Sequence, residues 1–182
     1  FGLGQEMKTQ IFGAGSIGNH LSNAARYLKH NVQVVDNKQE ALDRMKYDIY
    51  PSRYGEWDKS IDQITLEKAL KNKEYFDLVF IGTPPSSHIE LATLALEKNP
   101  KAVLIEKPLS TPLTDLNEFY KLVKKSSTKV YVGYDHSIAP SVDKMLYLAE
   151  NNIGQIISID VDFRESWEGI LRAHPWLNGP EE

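Results

Sequence analysis

Cysteine is absent from the 182 residues, which excludes disulfide bridges and thiolate metal sites and agrees with a reducing compartment. Long apolar runs are missing too. No stretch approaches the roughly 20 residues needed to cross a bilayer, so no membrane association is expected. The opening residues 1–6 lack the basic and apolar blocks of a secretion signal and read as an upstream remnant, with Met7 as the natural start. The expected location is the cytoplasm. Positive charge is not in excess: 21 Lys and Arg stand against 25 Asp and Glu, a net charge of −4. That balance excludes broad attraction to nucleic acid or to anionic membrane. Lys121, Lys124 and Lys125 read as a solvated helix end rather than a nucleic-acid patch. The five histidines show no short ligand spacing, so no metal is expected. No G-x-S-x-G elbow supports a hydrolase. Internal repeats and heptad seams are likewise lacking.

What is present is an alternation of short β-rich runs with longer helical patterns. This is the signature of an α/β fold with a doubly wound parallel sheet. The spacing predicts strands over 8–12, 32–35, 77–81, 102–105 and 129–132. It predicts helices over 17–29, 39–46, 66–71, 111–125 and 140–150, and one from Ser86 or Ser87 to Lys98. In the first helix Ile17, Leu21, Ala24, Ala25 and Leu28 share a face; in the last, Val142, Met145, Leu146 and Leu148 form the apolar set. Residues 47–62 contain Pro51, Gly55 and Trp57 with poor periodicity and read as a weak strand or a loop. From 155 to 163, Ile156, Ser158, Asp160 and Asp162 alternate with Gln155, Ile157, Ile159, Val161 and Phe163. That pattern suits a strand wet on one face, which is usually antiparallel. The expected organisation is a first domain over 7–150 and the incomplete start of a second over 151–182.

The first strand leads into Gly13-Ala14-Gly15-Ser16-Ile17-Gly18, a G-x-G-x-x-G at a strand-to-helix join. The first glycine permits the tight turn, the second lets a pyrophosphate approach bare backbone, and the third lets helix and strand pack closely. The first turn, with Ser16 and Ile17, offers free N–H groups and a partial positive charge to phosphates. Asp36, 18 residues beyond Gly18, closes the second strand. A carboxylate there accepts hydrogen bonds from the adenosine ribose and disfavours a 2′-phosphate, so NAD is expected with NADP left open, because Lys38 is adjacent. The plainer reading is a turn aspartate capping the helix at Gln39.

Further signals lie at the carboxyl ends of later strands, where open α/β sheets bind ligands. Thr83-Pro84-Pro85 forms a rigid loop suited to a flat nucleotide, or simply ends a strand. His88, in the next helix's first turn, suits hydrogen bonding that sets the loops' shape. Glu106-Lys107-Pro108 places a lysine at a strand end, where its ammonium can polarise a substrate oxygen and burial would lower its pKa. An ordinary surface ion pair with Glu106 is the alternative. In Gly133-Tyr134-Asp135-His136, His136 can relay a proton or cap the next helix. His20 and His30 read as helix-surface residues, and His174 as part of a loop that folds over the site.

In this order, G-x-G-x-x-G, Asp36, T-P-P-x-x-H, E-K-P-L and V-G-Y with Pro140 six residues on, the chain resembles the Gfo/Idh/MocA oxidoreductases over residues 7–180. The resemblance implies a Rossmann NAD(P)-binding domain followed by an α/β domain with a mostly antiparallel sheet that binds substrate and mediates homo-oligomerisation. It implies hydride transfer between nicotinamide and a hydroxyl or carbonyl carbon of a small polyhydroxylated substrate, a sugar or cyclitol. Gly13, Gly15, Gly18 and Asp36 would hold the adenosine pyrophosphate half. Thr83, Pro84, His88 and Glu106 would line the cofactor cleft, and Lys107 would lie beside nicotinamide and substrate. The family's second-domain Asp-x-x-x-His motif has no counterpart before Glu182, so these residues alone are expected to turn over little. Two alternatives are a non-catalytic nucleotide-bound sensor or scaffold and a methyltransferase; the E-K-P and T-P-P loops argue against the latter.

Overall fold

Successive strand residues face opposite sides of a sheet, and here both sets are apolar, so both faces must be covered. The structure, a computed structural model, describes residues 6–162 and 164–173. Strands β1 (Lys8–Phe12), β2 (Asn31–Asp36), β3 (Ile61–Thr65), β4 (Leu78–Ile81), β5 (Ala102–Glu106) and β6 (Lys129–Gly133) form one six-stranded sheet in the order β3-β2-β1-β4-β5-β6. Every pairing is parallel. The order reverses between β1 and β4, and the ends of those two strands flank the switch point.

One face packs Phe12, Val35, Val79, Ile81, Val103 and Ile105 against helices α4 (Leu66–Lys71), α5 (His88–Glu97) and α6 (Asn117–Lys125). The other packs Ile11, Val32, Val34 and Ile61 against α1 (Ser16–Tyr27), α2 (Gln39–Arg44) and α3 (Tyr50–Tyr54). A polar row crosses the first face in register: Gln10 donates to Gln33 at 2.9 Å and Gln33 to Asp62 at 2.8 Å.

Some local expectations fail. The first half of residues 47–62 is helical: a π-helical stretch, Met45–Ile49, joins α2 to α3, which ends at Tyr54; a loop then leads to β3. Here an aromatic cluster, not periodicity, drives the structure. Tyr50 is buried and meets Tyr54 and Trp57 edge-on at 5.1 Å each. Pro51 lies where the π-helical stretch passes into α3, and it supplies no backbone N–H there. The helix expected from Thr111 starts at Asn117 instead. A turn does form, with the Thr114 N–H donating to the Thr111 carbonyl at 3.2 Å, but it does not propagate; the Asp115 carboxylate accepts the Asn117 N–H at 2.9 Å, and the helix starts there. α5 starts directly after Ser87, as expected, but the Ser87 side chain bonds no helix N–H. Its hydroxyl turns back to Thr83 and to the Pro84 carbonyl, because Pro85–Ser87 form a 3₁₀ turn ahead of the helix.

The chain divides into two compact units at Gly133 and Tyr134. The second contains a 3₁₀ turn, Asp135–Ile138, and helices α7 (Pro140–Asn152) and α8 (Trp167–Ala173). Residues 155–162 form no strand, since none of them pairs with another described strand; Phe163 lies outside the described residues. Among the described residues no helix is long and apolar enough to cross a membrane.

Candidate functional site

In a parallel sheet all strands end at one edge, which gathers the exits after Phe12, Asp36, Ile81 and Glu106. The three glycines there face three different constraints. Gly13 has φ +102°, and a Cβ on it would lie 2.8 Å from the Gly82 carbonyl oxygen. A Cβ on Gly18 would lie 1.8 Å from the Gly13 oxygen, so helix and turn are in backbone contact. A Cβ on Gly15 would meet nothing within 4 Å. Gly15 is therefore not needed for internal packing and presents bare main chain outward. No side chain caps α1, and no acid stands in its first turn. The opening N–H groups of Ser16, Ile17 and Gly18 precede any intrahelical acceptor.

Asp36 reaches this turn. Its Oδ2 accepts the Ala14 N–H at 2.9 Å, and its Oδ1 accepts the Lys38 N–H at 3.0 Å. The carboxylate thus fixes the turn from the end of β2 and does not cap α2. Each oxygen keeps acceptor capacity for a further hydroxyl.

Asn19 is a residue that sequence reasoning missed. It is fully buried, and its Nδ2 donates to the carbonyls of Ala14 at 3.2 Å and Gly15 at 2.8 Å, while Oδ1 has no partner among the described residues. The available signal was a polar residue on the inward face of α1, one turn after Gly15. Arg53 was also missed. From α3 its guanidinium donates to the Ser16 carbonyl at 3.1 Å and lies 3.2 Å from His20 Nε2, with the Tyr54 hydroxyl on His20 Nδ1. His20 is exposed on α1 as expected, but it is held in this cluster. His30 is not a surface residue. It is buried at the opposite edge of the sheet, 3.1 Å from Thr9 Oγ1, and burial pushes its pKa down, with partial relief from Asp77.

The exit of β4 leans on α1: a Cβ on Gly82 would come 3.0 Å from Ile17 Cγ2. Thr83 Oγ1 accepts from Ser87 at 2.8 Å. His88 is 1% exposed, with Nε2 at 2.7 Å from the Thr83 carbonyl and Nδ1 at 2.9 Å from the Pro108 carbonyl. Glu106 Oε2 accepts the N–H of Lys107 at 2.9 Å, and its Oε1 lies where a Cβ on Gly133 would approach to 3.2 Å. Glu106 therefore serves the backbone rather than the lysine ammonium. The Lys107–Pro108 peptide is cis. Lys107 is exposed, not buried as expected, because β5 ends one residue earlier and the lysine projects past the sheet edge.

The structure brings Gly13, Gly15, Ser16, Ile17, Gly18 and Asp36 together, and joins Thr83, Pro84, His88, Glu106 and Lys107 into a neighbouring pair of loops. His136 belongs to the second unit, where it is exposed and its N–H donates to the Asp135 carboxylate at 3.0 Å. His174 lies outside the described residues.

A family model described as an oxidoreductase family with an NAD-binding Rossmann fold matches residues 7–134. A curated relative, Oxidoreductase P35 of Formosa agariphila, is 28% identical over 173 residues, covering 92% of this chain and 50% of its own. An uncharacterized oxidoreductase of Synechocystis is 31% identical over 111 residues, covering 60% of this chain and 28% of its own. The chain thus spans half or less of the length of these relatives. Among solved structures, scyllo-inositol dehydrogenase from Lactobacillus casei with bound NAD(H) and scyllo-inositol superposes with a TM-score of 0.63 at 18% identity, covering 80% of this chain and 41% of that one. The WlbA dehydrogenase from Bordetella pertussis, in complex with NADH and UDP-GlcNAcA, gives 0.62 at 18% identity over 80% and 40%. At these identities the likeness shows the fold alone.

Proposed function

The chain belongs to the Gfo/Idh/MocA oxidoreductases, the family with the NAD-binding Rossmann fold, and from that premise we propose that it binds NAD at the β1–α1 turn and serves hydride transfer to or from a carbinol carbon of a sugar, a cyclitol or a related polyhydroxylated compound. One observation carries this reading. The only member of the glycine triad with open space at its Cβ position is Gly15, where a pyrophosphate must approach main chain. Gly13 and Gly18 are consumed by packing; Gly15 is not.

The residues fit the coenzyme. The N–H groups of Ser16, Ile17 and Gly18 receive the phosphates at the positive end of α1. Asp36, held by the Ala14 and Lys38 N–H groups, takes the ribose hydroxyls and repels a 2′-phosphate. Bound NAD supplies the hydride acceptor. Lys107, exposed at the β5 exit, donates a hydrogen bond to the substrate oxygen and stabilises negative charge developing on it. Glu106 fixes the direction of that lysine through its main chain. His136 is a second proton carrier in this scheme. Residues 7–150 serve as the dinucleotide domain, and those from 151 open a substrate and oligomerisation domain in a homo-oligomeric protein, of whose curated relatives this chain spans half the length or less. The inositol and UDP-sugar ligands of the two solved neighbours support the substrate class.

Titration of the chain with NADH and NADPH, followed by nicotinamide fluorescence, tests the reading. Saturable binding of NADH, tighter than NADPH, is expected, and Asp36→Ala should narrow the difference. Absence of saturable binding of either coenzyme by the folded chain overturns it.

A further inference from the structure

His88 faces two carbonyl oxygens and nothing else through its ring nitrogens: Thr83 O at 2.7 Å from Nε2 and Pro108 O at 2.9 Å from Nδ1. A carbonyl oxygen only accepts, so each contact is a hydrogen bond only if the nitrogen carries hydrogen. Whichever ring nitrogen carries the hydrogen, the ring donates to one of these carbonyls and packs against the other, so it bridges the two. The ring is 1% exposed, so water cannot supply a missing donor.

The two acceptors belong to different loops. Thr83 follows β4, Pro108 follows β5, and they are 25 residues apart in sequence. Each is backbone, so no side-chain change at either position removes the acceptor. Pro108 immediately follows Lys107, whose N–H is held on the other side by Glu106 at 2.9 Å. Lys107 is thus pinned between two anchors, Glu106 before it and His88 beyond it, while its own ammonium makes no hydrogen bond or ion pair among the described residues.

The geometry points to His88 as a positioning residue: a clasp that sets the spacing between the Thr83 loop and the Lys107 loop, and through it the half of the cleft beyond the pyrophosphate. This rests on the coenzyme reading above. The clasp lies at the β4 and β5 exits, whereas the phosphate cradle and Asp36 lie at β1 and β2. The role therefore predicts a selective defect. Losing the clasp disturbs the nicotinamide end and spares the adenosine end.

The test compares NADH with ADP-ribose, which lacks nicotinamide, on the same chain. In His88→Phe, of similar shape but without donors, the NADH dissociation constant should rise about tenfold, the size of one lost hydrogen bond, with ADP-ribose within about twofold of wild type. His88→Asn, which keeps one donor group, should fall between. Thr9→Val removes a buried hydrogen bond to His30 at the opposite edge of the sheet; it should lower the melting temperature and leave both affinities unchanged. An equal loss for the two ligands in His88→Phe, or no loss in a folded variant, overturns the proposal. If the variants do not fold, ¹⁵N NMR of the wild-type chain decides. A slowly exchanging ring N–H proton on His88 is expected, and a ring N–H that exchanges freely with solvent overturns the clasp. Wild-type protein that binds ADP-ribose and NADH not at all overturns the coenzyme reading itself, a result distinct from each of these.

Discussion

Helices α5 and α7 each carry aliphatic residues at helical spacing, yet they end in different places. α5 buries Leu91, Ala92, Ala95 and Leu96 against β4 and β5. α7 buries no residue at all, and Met145, Leu146 and Leu148 stand exposed. The wider regions differ in the same way. Up to Gly133 the apolar residues find a sheet; beyond it Ile157 is 97% exposed and Val161 82%. An apolar stripe is enough to specify a helix, but burial needs a second surface, and in this fold that surface is a parallel strand paired into a sheet. The helix in the second unit is followed by no strand that pairs among the described residues.

The largest effect is expected where the first unit is tightest. Gly18→Ala sets a Cβ 1.8 Å from the Gly13 oxygen, a backbone atom that cannot step aside. Separating helix from strand there should cost at least ~3 kcal/mol, at the upper end of overpacking losses. Urea denaturation should show the chain unfolded or nearly so. A variant within 1 kcal/mol of wild type would mean that the contact between α1 and the turn is not a fixed feature. Next comes the helix pair itself. Leu91→Ala should cost about 2–4 kcal/mol, as buried truncations do, while Leu146→Ala, at 51% exposure, should stay within about 0.5 kcal/mol. Equal losses would break the comparison, because they would show that α7 is covered in solution.

How much of this was legible in the sequence follows the range of each cause. The glycine turn was readable because its constraints are steric and local, and Asp36 because it closes a strand at a fixed distance from that turn. The doubly wound sheet followed from apolar runs such as 77–81, whose continuity demands cover on both faces. Residues 47–62 misled because Tyr50, Tyr54 and Trp57 hold their segment by ring contacts, which have no period. Asn19 showed only as a polar residue on an inward helix face; its role was hidden because its partners are carbonyls, and carbonyls look alike in every residue. His88 was readable as a loop organiser, but its second partner, 20 residues on, depends on how two strand exits meet. Lys107 was placed correctly at a strand end and wrongly as buried, because the pattern fixes where a strand stops and not what lies above it.

A finer test separates structure from ligand inside one motif. Gly15 has φ −77°, which alanine adopts without strain, and open space around its Cβ position. Gly15→Ala should change stability by no more than about 0.5 kcal/mol. The new methyl group would stand where phosphate is to approach, so NADH affinity should fall about tenfold, or ~1.4 kcal/mol. Calorimetric melting together with NADH titration reads both numbers. Unchanged affinity would move the coenzyme away from this turn.

The smallest effect is electrostatic and lies at the other edge of the sheet. Burial holds the His30 ring below its ordinary pKa, so the unfolded chain takes up that proton first. Stability from this group is therefore complete above the ordinary histidine value, about 6.5, and is lost as pH falls below it. Asp77 is pulled the same way by other means: Lys101 Nζ pairs with it at 2.9 Å, and the Lys8 N–H donates to it at 2.9 Å, which depresses its pKa. Its contribution is present above about 4 and is lost on further acidification. Urea midpoints measured from pH 7.5 to 3.5 should fall in two stages, each on the order of 1 kcal/mol or less because the partners reach solvent. His30→Gln should remove the upper stage and Asp77→Asn the lower. Asp162→Asn, which breaks an exposed pair with Arg164 in the second unit, should leave the curve where it was, since ions already in water gain little from pairing. If Asp162→Asn moved the midpoint as far as Asp77→Asn, the second unit would have to share in the cooperative unfolding of the sheet.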